Sequence, residues 1–542
     1  MKNKLLLIAL LICCLISVKA QNPVKPKLVV NITVAGLRYD YLLKFNKGFS
    51  SRGIMKLINE GAVCSRALID YSNSTTPVGV ATIATGAAPS SHGVVGEYWF
   101  DYTTGTRMQL GFDKEVLTVG DDAYDAQLSP RSLVASTLGD CISEIEPSSK
   151  VISVALNPLP AVIAGGFNAD GVYWVSQRSG KMVSSSYYTK NLPDWVNNFN
   201  KKELAAAYCS ATWKLSKDKG IYYNVLRSDV KQSATMMSLG TKKFDYEKLT
   251  TTPAANSLIK DFAVQSILAE ELGKDSSTDY LSVVFESPRC AAAKYGPNSM
   301  EVEDVLYRLD IEIEALLAFL ESQVGKENML VIFSSAHGSS DAVIESSKVP
   351  VGHFNASQFE ILMNGFLGAQ LSARMNAEQT KKSNEYGERW VLEFLNNQLY
   401  LNRRKIYAAG FSLSEVQDIA ANFSIQFRGV ASAITSTTMQ SGEFTSGVMG
   451  SAQRSYFARH SGDVVLNFLP GWIDSSSSLS QSGSPYIYDT HVPLVFWGGG
   501  VVPQTINSDV KLQDIAPTVA AYVGVTPPNA STGRPIEGIF EK

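Results

Sequence analysis

Apolar positions along this chain fall into two alternating patterns. Short unbroken runs rich in Val and Ile read as strands buried on both faces: "KLVVNITVAG" (27–36), "AVCSRALIDY" (62–71), "KVISVAL" (150–156), "YLSVVFES" (280–287), "MLVIF" (329–333) and "VPLVFWGGG" (492–500). Between them, apolar residues recur at helical spacing. "RGIMKLINEGA" (52–62) is one such segment, with Gly61 as its stop. Val302, Val305, Leu306, Leu309, Ile313, Leu316, Leu317 and Leu320 form a longer one. Asn298 or Ser299 caps it, and Glu301 and Glu303 sit in its first turn, where the helix dipole favours acids. Near the end, Asp514 caps "IAPTVAAYVGV". This alternation predicts an α/β fold with a central, mostly parallel sheet flanked by helices. Two stretches break the rhythm, at about 171–255 and about 355–480, and read as cap-like insertions on one domain spanning 21–542.

Composition changes this picture little. The chain has 542 residues, 45% hydrophobic and 18% charged, enough for a large core. A net charge of -3 gives no reason to expect nucleic acid as a partner. The first twenty residues add a targeting expectation. Lys2 and Lys4 precede an apolar run from Leu5 to Val18 that ends in Val18-Lys19-Ala20. Residues 1–20 therefore read as a secretory signal peptide, and the protein as exported, periplasmic or secreted, and peripheral to a membrane at most. Cys13 and Cys14 would leave with that segment. The other cysteines, Cys64, Cys141, Cys209 and Cys290, either pair in an oxidising compartment or stay as buried thiols.

Two segments carry candidate chemistry. "YSNSTTPVGVATIATG" (71–86) places Thr76 before Pro77 at the start of a small-residue helix, with Thr76 as the cap. A hydroxyl there faces free backbone N–H groups and the positive dipole end, which suits an anion such as phosphate. "MLVIFSSAHGSSD" (329–341) ends a strand in Ala336, His337 and Gly338, and strand ends in open α/β sheets are where ligands bind.

Taken with "SSHGVVGEYWFD" (90–101), "YGPNSMEVEDVLYRLD" (295–310), "YDTHVPLVFWGGG" (488–500), "LQDIAPTVAAYVGV" (512–525) and "GRPIEG" (533–538), these segments resemble the alkaline phosphatase superfamily. The resemblance is closest to the phosphate-irrepressible alkaline phosphatases and the type I phosphodiesterase/nucleotide pyrophosphatases. It implies an alkaline-phosphatase-like fold, two zinc ions clamping the attacking and leaving oxygens, and a threonine nucleophile. The nucleophile falls on Thr76. The metal-ligand positions fall on Ala35, Arg289, Ala293, Ala336, His337 and His491, so that only the two histidines are retained. An asparagine, a lysine and an arginine of the monoesterase branch fall on Glu97, Asn157 and Leu159.

The replacements are consistent with one another in charge. Two Zn²⁺ against three aspartates leave +1. Without metals, Ala35, Arg289 and Ala336 also leave +1, carried by a guanidinium suited to holding an oxyanion. The expectation is a pseudoenzyme with no metal cofactor. It would bind an anionic small molecule or phosphorylated ligand through Thr76, Arg289, Asn157 and Glu97, or an envelope protein. His337 and His491 would be remnant ligand positions. Two alternatives stand beside it. One is an active phosphatase or phosphodiesterase whose metal site is rebuilt with Asp40, Asp341 or Glu286, although Glu286, three residues before Arg289 on a strand, would point to the opposite face. The other is a structural part of a cell-envelope assembly. His92, His353 and His460 read as structural. Tyr187, Tyr188, Trp195, Trp213, Tyr222 and Tyr223 read as the insertion's own packing, with a ligand groove as the alternative.

Overall fold

The computed structural model describes residues 25–121, 126–223, 236–238, 245–341, 351–474 and 478–540. The expected signal segment, the serines 475–477 and most of 224–244 lie outside them.

The elements that position the site are, in chain order, β1 (Leu28–Ala35), α1 (Thr76–Thr85), β2 (Val151–Ala155), α2 (Pro158–Gly165), β3 (Asp279–Phe285), α3 (Ser287–Tyr295), α4 (Met300–Gln323), β4 (Met329–His337) and β5 (Leu494–Gly498). A ten-stranded sheet runs in the order Gln504–Ile506, Ala62–Cys64, β5, β4, β1, β3, β2, Gly171–Val175, Met182–Ser185, Thr118–Val119. Its centre is parallel: β1 pairs with β3 and β4, and β3 with β2. The run at β5 is antiparallel to β4. Every residue of β1, β3 and β4 is buried, as their unbroken apolar runs require. One core lies on each face of the sheet. Alternate β1 residues feed them, with Val30, Ile32 and Val34 on one side and Val29 on the other. α4 is capped by Ser299, whose hydroxyl accepts from Val302 N at 3.2 Å.

The two expected insertions differ. The segment from 171 opens with two strands of the central sheet, Gly171–Val175 and Met182–Ser185, so the core domain continues past the composition shift. Within it, Trp213 and Tyr222 are buried in the main core, and both donate to Asp304. The segment from 355 builds its own four-stranded sheet and its own apolar core, including Phe359, Met363, Leu367 and Leu399. "AVCSRALIDY" forms two short strands, Ala62–Cys64 and Ala67–Leu68, in place of one long one. Cys64, Cys141, Cys209 and Cys290 are free thiols. Among the described residues, no helix is long and apolar enough to cross a membrane.

Candidate active site at Thr76 and His337

α1 lies directly on the C-terminal end of β4. Gly79 makes this possible, since a Cβ there would fall 2.0 Å from the Ala336 carbonyl oxygen. The contact brings Thr76 Oγ1 to 2.9 Å from His337 Nε2. His337 Nδ1 stands 2.6 Å from the Gly338 carbonyl, which can only accept, so Nδ1 carries the proton. Nε2 is then a lone pair, and the Thr76 hydroxyl donates to it. Both residues are buried, and burial, with Arg289 adding to it, pushes the imidazole pKa down to about 3. His337 is a neutral ring locked in one tautomer.

α1 starts one residue earlier than a Thr76 cap requires. Thr75 is the capping residue in extended conformation, and its side chain makes no capping bond. The loop before it is polar and buried. Asn73 takes a positive φ of 57°. Asn73 Nδ2, Ser74 Oγ and Thr75 Oγ1 are buried atoms with no hydrogen-bond partner among the described residues.

The strand expected to carry Arg289 ends sooner. β3 stops at Phe285, Glu286 caps α3, and Arg289 lies in the first turn of that helix. The turn overturns the opposite-face argument, because residues three apart at a helix start share a side. Glu286 is buried at the site. Its carboxylate accepts from Asn157 N at 2.8 Å and Asn157 Nδ2 at 2.9 Å, and Asn157 Oδ1 accepts from Gln177 Nε2 at 2.7 Å. Burial pushes the Glu286 carboxyl upward, against the pull of Arg289 and Asn157. Arg289 feels Glu286 and the exposed Glu97 electrostatically, yet it has no hydrogen bond or ion pair among the described residues, and its Nε is buried without a partner. A cation near a helix N-terminus is disfavoured by the dipole. The Arg289 backbone in turn rests on Gly36, where a Cβ would approach its Cα to 2.9 Å.

The remaining positions are distributed as follows. Ala35 pairs across the sheet with His337, and Ala35 and Ala336 are fully buried. The Ala293 carbonyl accepts from Leu479 N. His491 turns its ring elsewhere: Nε2 meets the Ser65 carbonyl at 2.9 Å, and the ring stacks on Tyr39 at 4.2 Å. The residues brought beside the Thr76 loop are instead those around Gly483, whose carbonyl accepts from Asn73 N. Asp40 and Asp341 are both held by Arg38 at 2.8 Å. His92 bridges Thr82 and Val94 N, His460 bonds the Gly93 carbonyl, and His353 is exposed.

These residues do not fit two zinc ions. The site brings together one imidazole and one hydroxyl already bonded to each other, a Glu286 carboxylate taken by Asn157, and an unpaired guanidinium acting on the ring. Among the described residues, no cluster of three or more His, Cys, Asp or Glu has metal-ligand geometry.

A profile of the type I phosphodiesterase/nucleotide pyrophosphatase family matches residues 29–473, so the chain belongs to that family. It is similar to alkaline phosphatase PhoV of Synechococcus elongatus, with 29% identity over 97% of this chain and 95% of that protein. It is also similar to alkaline phosphatase PafA of Elizabethkingia meningoseptica, with 28% identity over 99% of both chains. The crystal structure of wild-type PafA superposes with a TM-score of 0.85 over 95% of this chain and 99% of that one. The fold is therefore the mostly parallel, helix-flanked sheet of the alkaline phosphatases.

The sequence reading missed the donors before Thr76 and the Asn157–Glu286 pair. The polar run "SNSTT" was a signal for the first. Nothing local signalled the second, since Asn157 and Glu286 are 129 residues apart.

Proposed function

We propose that this chain is an exported, non-hydrolytic member of its family that holds an oxyanion on Arg289 and the N-terminus of α1. One observation supports the reading: Arg289, at a position where the family resemblance puts a metal ligand, has no partner for its Nε among the described residues and acts electrostatically on His337, which holds Thr76. A guanidinium without a partner, and the buried donors of the loop before α1 that also lack partners, are groups that an anion satisfies. Family chemistry needs divalent cations to neutralise the charge of a moving phosphoryl group, and the carboxylate at this site, Glu286, is taken by Asn157 N and Nδ2.

The test is metal content together with anion binding. Protein purified without chelators should hold far less than one zinc per chain and leave aryl phosphates uncleaved after zinc is added. Simple oxyanions should raise its melting temperature, and Arg289→Ala should abolish the rise. Near-stoichiometric zinc with Thr76-dependent cleavage would overturn the proposal.

A further inference from the structure

A cavity of about 390 Å³, a size that suits a small molecule, opens where the chain enters its second insertion. None of the residues around Thr76 and His337 lines it. It sits at the short parallel pairing of Gly352–His353 with Trp472–Ile473. Part of its lining is aromatic and rigid. Phe359 and Phe427 meet edge to face at 4.9 Å. Trp472 is fixed between two backbone segments, because a Cβ on either Gly352 or Gly429 would run into its indole.

The charge on this cavity has one sign. Arg428 lines it, is exposed, and has no hydrogen bond or ion pair among the described residues. Its guanidinium carbon lies 5.5 Å from the centre of the Trp472 ring. A guanidinium over an aromatic face keeps its edge N–H groups for a planar oxyanion. No Asp or Glu lines the cavity. Asn355 and Gln358 do line it, and Asn355 caps the 17-residue helix Ala356–Ser372 by accepting from Gln358 N at 2.9 Å. The positive end of that helix therefore adjoins the same space. A bare inorganic anion would leave the aromatic walls uncovered, and a neutral ring would leave Arg428 unpaired. A flat ring carrying an oxyanion satisfies both.

We propose that this cavity is a binding site for aromatic acids, with the oxyanion on Arg428 and the ring against Phe427 and Trp472. It is separate from the site at Thr76 and Arg289. Aryl carboxylates and aryl phosphates share the required chemistry.

Calorimetric titration of the full protein tests this with benzoate and phenyl phosphate, set against acetate, which lacks the ring, and benzamide, which lacks the charge. The wild type should bind benzoate on the order of tenfold more tightly than either acetate or benzamide. Tighter binding of phenyl phosphate than of benzoate would mark the ligand as an aryl phosphate, and the reverse order as an aryl carboxylate. Arg428→Gln, at an exposed position, should bring benzoate down to the level of benzamide. Phe427→Leu should lower the benzoate-to-acetate ratio. Arg289→Ala removes the anion contact at the first site and should keep that ratio high. Equal affinity of the wild type for benzoate, acetate and benzamide would overturn the inference. So would unchanged benzoate binding in Arg428→Gln, or loss of the ring preference in Arg289→Ala. No wild-type response to benzoate or phenyl phosphate at millimolar concentration would overturn it as well.

Discussion

Thr76 and His337 each complete the other's hydrogen bonding inside a dry site. Removing the hydroxyl leaves Nε2 buried without a donor, and an unsatisfied buried acceptor costs about 1–3 kcal/mol. Thr76→Val should therefore lower the unfolding free energy by that amount, read as a drop in urea midpoint. Thr76→Ser, which keeps the hydroxyl, should stay close to wild type. Equal effects of the two substitutions would mean that the threonine matters for packing and the bond does not. The same bond bears on metal affinity. The lone pair that would ligate zinc points at a hydroxyl, and the Arg289 guanidinium acts on the ring against a positive charge. The residue identities at Ala35, Ala293 and Ala336 were legible from sequence, because a missing side chain cannot ligate anything. The partners of the retained residues were not. They depend on where the backbone turns at Glu286 and on which way the His491 ring faces.

At the scale of elements, the site is set by how closely α1 approaches β4. Gly79 has no room for a Cβ, because the atom it would meet at 2.0 Å is a backbone oxygen that cannot swing aside. Gly79→Ala should cost about 3 kcal/mol or more and separate Thr76 from His337. Gly365, in the helix Ala356–Ser372, faces open space, and Gly365→Ala should gain roughly 0.5–1 kcal/mol from helix propensity alone. Chemical denaturation of both variants checks the pair, and similar effects in the two would contradict the packing argument. Strands and long helices were readable because burial on both faces leaves unbroken apolar runs and α4 repeats every turn. The start of α1 and the end of β3 were not, since short polar stretches with Pro at an early helical position satisfy several boundaries equally.

Over the whole molecule, insertion and core are joined through buried polar groups. Tyr102 donates to Asp463, which also accepts from Arg403 Nε at 3.0 Å, and the guanidinium lies 3.7 Å from the centre of the Tyr102 ring. No sequence pattern shows such a contact, because its members lie 361 residues apart. Buried ionisable groups also give the fold a pH signature with opposing parts. Burial pushes His92 and His337 down to about 3, so their share of stability is full above the unfolded value near 6.5 and is lost as pH falls toward 3. Burial pushes Asp489 up to about 7 and Asp310 up to about 6, so each destabilises the fold when ionised, and acidification relieves that cost. The wild-type profile should be flat across this window because the two trends oppose. Single substitutions separate them. Each pH unit is worth about 1.4 kcal/mol per fully titrating group. Between pH 6.5 and 4.5, His337→Gln should gain about 2–3 kcal/mol relative to wild type, and Asp489→Asn should lose ground by a similar amount. Urea midpoints at the two pH values measure both. Parallel pH profiles for wild type and His337→Gln would mean that the imidazole is not held neutral, and the Thr76 hydroxyl would then have no lone pair to bind.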